Sequence, residues 1–232
     1  MSRYYPVLLD VGGRPCLVIG GGEVAEAKAR GLLACGARVT LIAPAVTSGL
    51  RNLAAAGRIH WVQRDYRPGD LEGFMLAIAA TDSPAVNRRV WQEAEERRIW
   101  LNAVDDPDHC SFILPAVHRQ GDLVLAVSTG GKSPALAARL RDRLAARLGP
   151  EYARWLELLG RLRPEVTRRV PDPDARKALW YRIVDSDALD RLRAGDAAGA
   201  LATVRALIEG WAQVAAEEAV GSAEAAGTAG SP

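Results

Sequence analysis

A glycine-rich turn between an apolar strand and a helix constrains the fold of this chain more than any other feature. The segment Cys16-Leu-Val-Ile-Gly-Gly-Gly-Glu-Val-Ala25 runs from a short apolar stretch into a helical pattern that reaches Cys35. A second apolar stretch, Arg38 to Ile42, follows after Gly36. Strand, glycine turn, helix and strand in this order predict a βαβ unit, because parallel strands need a long, usually helical connection.

The turn itself fits the dinucleotide-binding pattern GxGxxA. Gly20 would allow the tight turn, Gly22 would let backbone N–H groups approach a pyrophosphate, and Ala25 would let the helix pack closely on the sheet. The partial positive charge of a helix amino terminus also favours a phosphate there. The alternative is a tight strand-to-helix turn without a ligand, and the context favours the dinucleotide. The predicted cofactor-binding residues of this turn are Gly20, Gly21, Gly22, Glu23 and Val24.

One part of the dinucleotide pattern is missing. The second strand ends in Ala43-Pro44-Ala45, without the Asp or Glu that would bind the ribose 2′-hydroxyl. The nearest arginine is Arg51, which is expected to be a solvated helix charge rather than a partner for a 2′-phosphate. Spacing therefore leaves NAD and NADP open, and we expect the ribose to rest on the backbone of Ala43, Pro44 and Ala45.

Strands and helices continue to alternate up to residue 103. The pattern predicts five short parallel strands in an α/β, Rossmann-type sheet. Beyond the βαβ unit, the predicted elements are a helix from Ser48 to Ala56, strands from Ile59 to Gln63 and Met75 to Ala80, a helix from Ser83 to Arg98, and a strand from Ile99 to Ala103.

The pattern changes after Asp106-Pro107. Two apolar runs, Phe112 to Val117 and Leu123 to Val127, predict a hairpin, and Ser133-Pro134 begins a helix that ends near residue 149. A hairpin with one helix is too small to be stable alone. We therefore expect this small α+β segment to form a homodimer.

The rest of the chain is helical in pattern, with expected breaks at Pro164 and at Pro171-Asp-Pro173. The predicted domains are a nucleotide-binding domain over 1–111, a dimerisation segment over 112–149 and an all-helical domain over 150–218. Residues 219–232 are rich in Gly, Ala and Ser and are predicted to be a disordered tail.

Composition excludes several classes of protein. Thirty Lys and Arg residues against 28 Asp and Glu give a net charge of +2, which argues against a dedicated nucleic-acid binder. No segment has the roughly 18 uninterrupted apolar residues of a membrane span, and the start lacks a signal-peptide pattern, so we expect a cytoplasmic protein without a membrane partner. The three cysteines lack CxxC spacing and no HxxxH occurs, so neither a disulfide framework nor a preformed metal site is predicted.

Polar residues that follow the parallel strands are the best candidates for chemistry, because open α/β sheets bind ligands beyond their carboxyl ends. Thr81 and Asp82 follow the fourth strand, and Asn102 to Asp106 end the fifth. Asp105 is a candidate general base, with capping of the strand end as an equally weighted alternative. Asp106, which precedes Pro107, is predicted to be a turn residue. Asp82 is expected to help cap the helix that begins at Ser83.

The sequence pattern alone does not decide the role of two further groups of residues. Ser128-Thr129-Gly-Gly-Lys132-Ser133 could hold a phosphate, but it departs from GxxxxGK[ST], so a tight connection with Ser133 as a helix cap is favoured. The arginines of the following helices, Arg139 among them, are ordinarily solvated, but would suit a substrate with several carboxylates if they line a cleft. No tyrosine is followed four residues later by Lys, which argues against a short-chain reductase, and a non-catalytic NAD-sensing module stays an alternative.

Taken together, these segments resemble the precorrin-2 dehydrogenase family, including its sirohydrochlorin ferrochelatases. The resemblance covers about two-thirds of the chain in order, and the hairpin and the STGGKSP segment make it specific. The segments that carry it are residues 16–25 with Lys28-Ala29, residues 36–44, Ala79 to Asp82, Asn102 to Asp105, Ser111-Phe112 with Pro115-Ala116, and Ala126 to Pro134.

The resemblance implies NAD-dependent oxidation of precorrin-2 to sirohydrochlorin by a homodimer, in siroheme or cobalamin biosynthesis. It implies the stand-alone form, without the methyltransferase domain of fused siroheme synthases, and it implies NAD, since family members end the second strand in a similar Ala-Pro. Asp105 matches the aspartate proposed for proton removal. Some relatives also insert ferrous iron into sirohydrochlorin, for which Asp105 could assist chelation without a preformed metal site. The substrate-binding residues expected on this basis are Asn102, Ser128, Thr129, Lys132 and Arg139, with Thr81 and Asp82 added to the cofactor site.

Overall fold

The structure is a computed structural model that describes residues 4–211. Within these residues the chain divides into two compact units. The first contains the residues up to 115 together with 128–134, and the second contains 116–127 and the residues from 135 onward. The predicted domain boundaries at 111, 149 and 218 stay predictions, and the predicted disordered tail, 219–232, lies outside the described residues.

The first unit is an α/β sandwich built on one parallel sheet, as predicted. Its strands lie in the order β3-β2-β1-β4-β5, and all four strand pairs are parallel. The elements are β1 (Pro15–Ile19), α1 (Glu23–Ala34), β2 (Arg38–Ile42), α2 (Ser48–Ala55), β3 (Ile59–Val62), β4 (Leu76–Ala79), α3 (Pro84–Arg97) and β5 (Trp100–Ala103), followed by a 3-10 turn at Pro107–His109.

Alternation along β1 explains why the sheet is covered on both faces. Cys16 and Val18 belong to the core under α1, which contributes the buried Ala25 and Ala29. The intervening residues, such as Leu17, belong to a second core on the opposite face, where α3 contributes Val90. A strand buried on both faces is apolar throughout, which is why this segment reads as a continuous apolar run. Cys16 is buried, and burial raises the pKa of its thiol.

The second unit contains the predicted hairpin, but its first strand was placed too early. The strands are β6 (Ala116–Gln120) and β7 (Leu123–Val127), which pair antiparallel with Gln120 opposite Leu123. The residues from Phe112 to Pro115 are not in a strand. The strand begins after Pro115, which has no N–H to donate to a ladder. Gly121, with φ of 59°, supports the tight two-residue turn.

Helices make up the rest of the second unit. They are α4 (Pro134–Ala145), α5 (Glu151–Arg169), α6 (Pro173–Val184), α7 (Ala188–Arg193) and α8, which covers 197–211. Their core includes Trp155, Leu162, Val166, Ile183 and Val204. No helix in the described part of the chain is both long and apolar enough to cross a membrane.

The predicted break at Pro164 is wrong, because Pro164 lies inside α5. A proline in a helix interior removes one backbone hydrogen bond, at a cost of about 3 kcal/mol. Here Leu162 and Val166, on either side of Pro164, are buried in the core, and that burial holds the helix together. The predicted break at Pro171–Pro173 is confirmed, since α6 begins at Pro173 and Asp172 caps it by accepting a hydrogen bond from Ala175 N at 2.7 Å.

Candidate functional site

The candidate site lies where four adjacent strands of the first unit end. Ile19 at the end of β1 pairs with Ile42 of β2 and with Ala79 of β4. The hydrogen-bond ladder continues past the strand ends, with Gly20 N donating to Ile42 O at 2.9 Å and Val104 N donating to Ala79 O at 2.9 Å. The glycine turn and the residues after β2, β4 and β5 therefore share one edge of the sheet.

The three glycines of the turn have different structural roles. Gly20 has φ of 123°, and a Cβ there would lie 2.1 Å from Ala80 O. A Cβ at Gly21 would lie 1.9 Å from Ala45 O, a close approach that the sequence pattern did not reveal. At Gly22 a Cβ would meet no atom within 4 Å, so a side chain there would enter the open space before α1. The first two glycines are required by the fold, whereas the third leaves space that a ligand can fill.

The amino terminus of α1 is suited to an anion. Gly22 is the N-cap residue and no side chain caps the helix. The exposed residues Glu23 and Val24 begin its first turn. Uncapped N–H donors at a helix start can bind a pyrophosphate, and the glycines let it approach. The arrangement therefore fits a dinucleotide.

The loop from β2 to α2, predicted to carry the ribose, is held by contacts that the sequence did not predict. Trp61 Nε1 donates to Ala43 O at 2.9 Å, and Thr47 N donates to Gly21 O at 3.0 Å. The Thr47 hydroxyl accepts from Leu50 N as the cap of α2 and donates to Glu26 Oε2 at 2.5 Å. These partners are 18 to 26 residues apart in the chain, apart from the local cap, so no local pattern reveals them.

The residues after β4 are partly engaged within the protein. Thr81 Oγ1 donates to Asn87 Oδ1 at 2.7 Å, and Asn87 Nδ2 donates to Thr81 O at 3.1 Å. The cap of α3 is Ser83 itself, whose hydroxyl accepts from Val86 N. Asp82 is exposed at the sheet edge. Cofactor contacts from Thr81 and Asp82 stay predictions.

Asp105 and Asp106 have different environments. Asp106 Oδ2 lies 2.7 Å from Nδ1 of His109, whose ring packs edge-on against Trp91. Asp105 is exposed and has φ of 60°; in the described part of the chain only Asp105 and Arg98 among the non-glycine residues have a positive φ. Left-handed backbone is unfavourable for an L-residue and concentrates at functional sites. The geometry therefore distinguishes the two carboxylates, and Asp105 is the more exposed of the two residues.

The remaining candidates fall in both units. Asn102 is buried, with 8% of its surface exposed, and donates to Phe112 O at 3.0 Å. In the loop after β7, the Thr129 hydroxyl accepts from Ser133 N at 3.0 Å, and Ser128 Oγ accepts from Gly130 N at 3.1 Å. This loop, with the exposed Lys132, belongs to the first unit, as do the glycine turn and Asp105. Arg139 is exposed on α4 in the second unit.

An open cavity of about 800 Å³ lies elsewhere in the first unit. Its lining includes Pro15, Arg38 and Ile59, which begin β1, β2 and β3. It therefore opens at the amino ends of the strands, opposite the glycine turn. Because parallel α/β sheets bind ligands beyond the carboxyl ends of their strands, we place the site at the glycine-turn edge.

Fold and site together define a Rossmann-type dinucleotide-binding protein with a carboxylate at the end of its fifth strand. Three family models match the chain in order: an NAD(P)-binding model over residues 7–116, the sirohaem biosynthesis protein central model over 120–147 and the sirohaem synthase dimerisation region over 151–208. The chain belongs to the siroheme synthase and precorrin-2 dehydrogenase family. The dimerisation model matches residues beyond 112–149, the segment predicted above to dimerise.

Individual relatives agree with this assignment. Siroheme synthase 3 of Aeromonas hydrophila is 41% identical over 198 residues, which are 85% of this chain and 42% of the relative. Siroheme synthase of Photobacterium profundum is 38% identical over 192 residues, or 83% of this chain and 41% of the relative. The chain thus spans less than half the length of these relatives. The solved structure of SirC, a precorrin-2 dehydrogenase, superposes with a TM-score of 0.72 at 27% identity, covering 87% of this chain and 99% of SirC.

Proposed function

We propose that this protein oxidises precorrin-2 to sirohydrochlorin, with NAD as the hydride acceptor. The observation that carries the proposal is the exposed Asp105 carboxylate at the end of β5, on the sheet edge that also holds the glycine turn. Membership of the siroheme synthase family and the likeness to SirC support it. A nucleotide-sensing module would not need a carboxylate at this position.

The chemistry assigns separate tasks to the two parts of the edge. Oxidation of the macrocycle removes a hydride and a proton, and bound NAD supplies hydride acceptance. The α1 amino terminus and the open space at Gly22 hold the pyrophosphate. Asp105 accepts the proton, which requires hydrogen-bond reach to the carbon that loses it. Asp106 is committed to His109 and does not take part.

The choice of NAD over NADP rests on the end of β2. Ala43 is buried, Pro44 and Ala45 are exposed, and none of the three side chains carries a charge. A 2′-phosphate would gain no charged hydrogen bond from them. Calorimetric titration of the protein with each dinucleotide tests this proposal, and equal or tighter binding of NADP would contradict it.

We propose that Ser128, Thr129 and Lys132, which lie in one loop of the first unit, contact the substrate. Arg139, on α4 of the second unit, and Asn102 stay sequence-based predictions of substrate contact. Precorrin-2 carries several carboxylates, and the charged side chain of a Lys or Arg can bind a carboxylate. The test is the KM for precorrin-2: Arg139→Ala should raise it and Arg139→Lys should retain much of the affinity. Arg141 is the matched control on the same helix, because it is paired with Asp142 at 2.6 Å. An unchanged KM in Arg139→Ala would remove Arg139 from the substrate site.

The central experiment is anaerobic incubation of the protein with enzymatically made precorrin-2 and NAD, followed by absorbance. Appearance of the sirohydrochlorin spectrum with NADH formation is expected, and it should be lost in Asp105→Ala. A second arm adds ferrous ion as a substrate, because the exposed Asp105 carboxylate is also the group proposed to assist iron insertion. Absence of NAD-dependent turnover by the folded wild-type protein would refute the proposed function.

A further inference from the structure

Asp105 lies in the loop that connects β5, at the open edge of the sheet, to the segment that returns along this edge. β5 is the outermost strand, so the amides that do not face β4 have no neighbouring strand. Two of them are bound by side chains of the segment that returns along the edge: Leu101 N donates to Ser111 Oγ at 2.6 Å, and Ala103 N donates to Cys110 Sγ at 3.1 Å. The chain between these contacts is the loop that contains Asp105.

Cys110 contacts both sides of Asp105. Besides accepting from Ala103 N, its thiol lies 3.1 Å from Ala103 O and 3.2 Å from Asp106 O, so it donates to one of two carbonyls that flank Asp105. Asp106 N in turn donates to Ala103 O at 3.3 Å. These contacts close a short turn at whose apex Asp105 has its left-handed backbone.

The Asn102 side chain links the end of β5 to the returning segment just below the same turn. Its side chain is buried, and its Nδ2 donates to Phe112 O at 3.0 Å and lies 3.6 Å from Cys110 Sγ. A buried amide that donates to the backbone of the returning segment determines where that segment lies relative to β5. The donor group of Asn102 is thus used inside the protein rather than presented at the surface.

We infer that Asn102 and Cys110 are positioning residues that together hold Asp105 in its left-handed conformation and so aim its carboxylate. We call the two side chains the Asp105 clamp. The inference rests on the proposed function for its effect on turnover, and it changes the role expected for Asn102 from substrate contact to support of Asp105. A strained backbone conformation persists only when its surroundings hold it, which is the task of the clamp.

The test compares Asn102→Ala, Cys110→Ala and Cys110→Ser, each alone and combined with Asp105→Ala. Misplacing a reacting group by about 1 Å can cost roughly 100-fold in rate. We expect the two alanine variants to lower kcat by about 10- to 100-fold with unchanged NAD affinity, and Cys110→Ser, which keeps a donor and an acceptor, to recover most of it. In the Asp105→Ala background none of the three should cause a further loss, because the clamp acts through Asp105.

Three results would overturn the clamp. They are a further loss in the Asp105→Ala background, a Cys110→Ser variant as slow as Cys110→Ala, or an equal loss of kcat in Val39→Ala. Val39 is buried near the amino end of β2, where it pairs with Cys16 and Ile59, so its alanine variant controls for a general loss of stability.

A readout independent of catalysis separates this inference from the proposed function. Amide hydrogen exchange at Ala103 and Asp106, measured by NMR, should accelerate in Asn102→Ala and Cys110→Ala and stay slow in Cys110→Ser. If the wild type fails to oxidise precorrin-2 while these amides respond as expected, the proposed function is wrong, but Asn102 and Cys110 still hold the Asp105 loop in place. Unchanged exchange in both alanine variants refutes the clamp whatever the activity.

Discussion

The hydroxyl of Thr47 donates a hydrogen bond to the carboxylate of Glu26 at 2.5 Å. Glu26 lies in the first turn of α1, and Thr47 lies in the loop after β2 and caps α2. One hydroxyl therefore joins the two segments proposed to hold the pyrophosphate and the ribose.

Thr47→Val should weaken NAD binding and destabilise the fold, because it removes both the cap of α2 and the bond to Glu26. Loss of a helix cap costs about 1 kcal/mol of stability, and a tenfold loss of NAD affinity corresponds to about 1.4 kcal/mol. Thr47→Ser keeps the hydroxyl and should behave like the wild type in calorimetry and thermal unfolding. A Thr47→Val variant that binds NAD normally would show that the loop does not touch the cofactor.

The same pair makes stability depend on pH. The hydrogen bond from Thr47, with a further contribution from Arg30, lowers the pKa of Glu26 below its ordinary value of 4.5. A carboxyl whose pKa is lowered by folding stabilises the protein above the unfolded-state pKa, and this contribution is lost as pH falls through the lowered, folded-state pKa. In Glu26→Gln the denaturation midpoint should therefore fall less steeply than in the wild type as the pH drops below about 4.5. Glu95→Gln, at an exposed position on α3, should show the same pH dependence as the wild type. If the denaturation midpoint depends on pH identically in the wild type and in Glu26→Gln, the Glu26 carboxyl does not contribute to the pH dependence of stability.

The glycines of the turn should separate folding from binding. Gly22→Asp adds a side chain and a negative charge in open space, so the protein should fold but lose NAD affinity. Gly20→Ala forces a Cβ against Ala80 O at a φ of 123° and should cost about 1–3 kcal/mol of stability. Circular dichroism with calorimetry distinguishes the two effects. Normal NAD affinity in a folded Gly22→Asp variant would move the cofactor away from this turn.

Asp105 and Asp106 should respond oppositely to substitution. Removing a positioned general base costs about 10² to 10⁴ in rate, so Asp105→Ala should lose turnover and keep NAD binding. Asp106→Ala should keep most of the turnover and lose some stability of the turn with the His109 contact. Asp105→Gly should be inactive yet no less stable than Asp105→Ala, since glycine tolerates a φ of 60°. The reverse order of activity would shift the catalytic role to Asp106.

The dimer interface should be resolvable by two charge substitutions. Leu140 and Leu144 are exposed one turn apart on α4, within the predicted dimerisation segment, and Tyr181 and Val184 are exposed on α6 within the region matched by the dimerisation model. If 112–149 dimerises, Leu140→Glu should yield a monomer of about 24.9 kDa by light scattering, and Tyr181→Glu should stay dimeric. The opposite result would place the interface on the carboxyl-terminal helices, and a monomeric wild type would refute the homodimer.

Local chemistry made much of the fold predictable. The glycine turn, the apolar β1 and the Ser83-Pro84 helix start carry their signals within a few neighbouring residues, and each lies where the sequence placed it. Asp105 could be singled out because parallel strands place their carboxyl ends, and the residues that follow them, on one edge.

Tertiary structure decided what local patterns could not carry. The sequence predicts a break at Pro164, but burial of its neighbours Leu162 and Val166 outweighs the lost hydrogen bond and α5 continues. Gly21 is required because the chain at Ala45 approaches it, and only folding brings together residues so far apart in sequence. The sequence alone thus determined the class of fold and the edge that carries the site, because those follow from local hydrogen bonding and periodicity. The pairing of Asp106 with His109 spans only three residues, but no pattern in the sequence revealed it. The left-handed Asp105 and the loop held by Thr47 depend on contacts between separate segments, Cys110 with Ala103 and Thr47 with Glu26, which form only when the chain has packed.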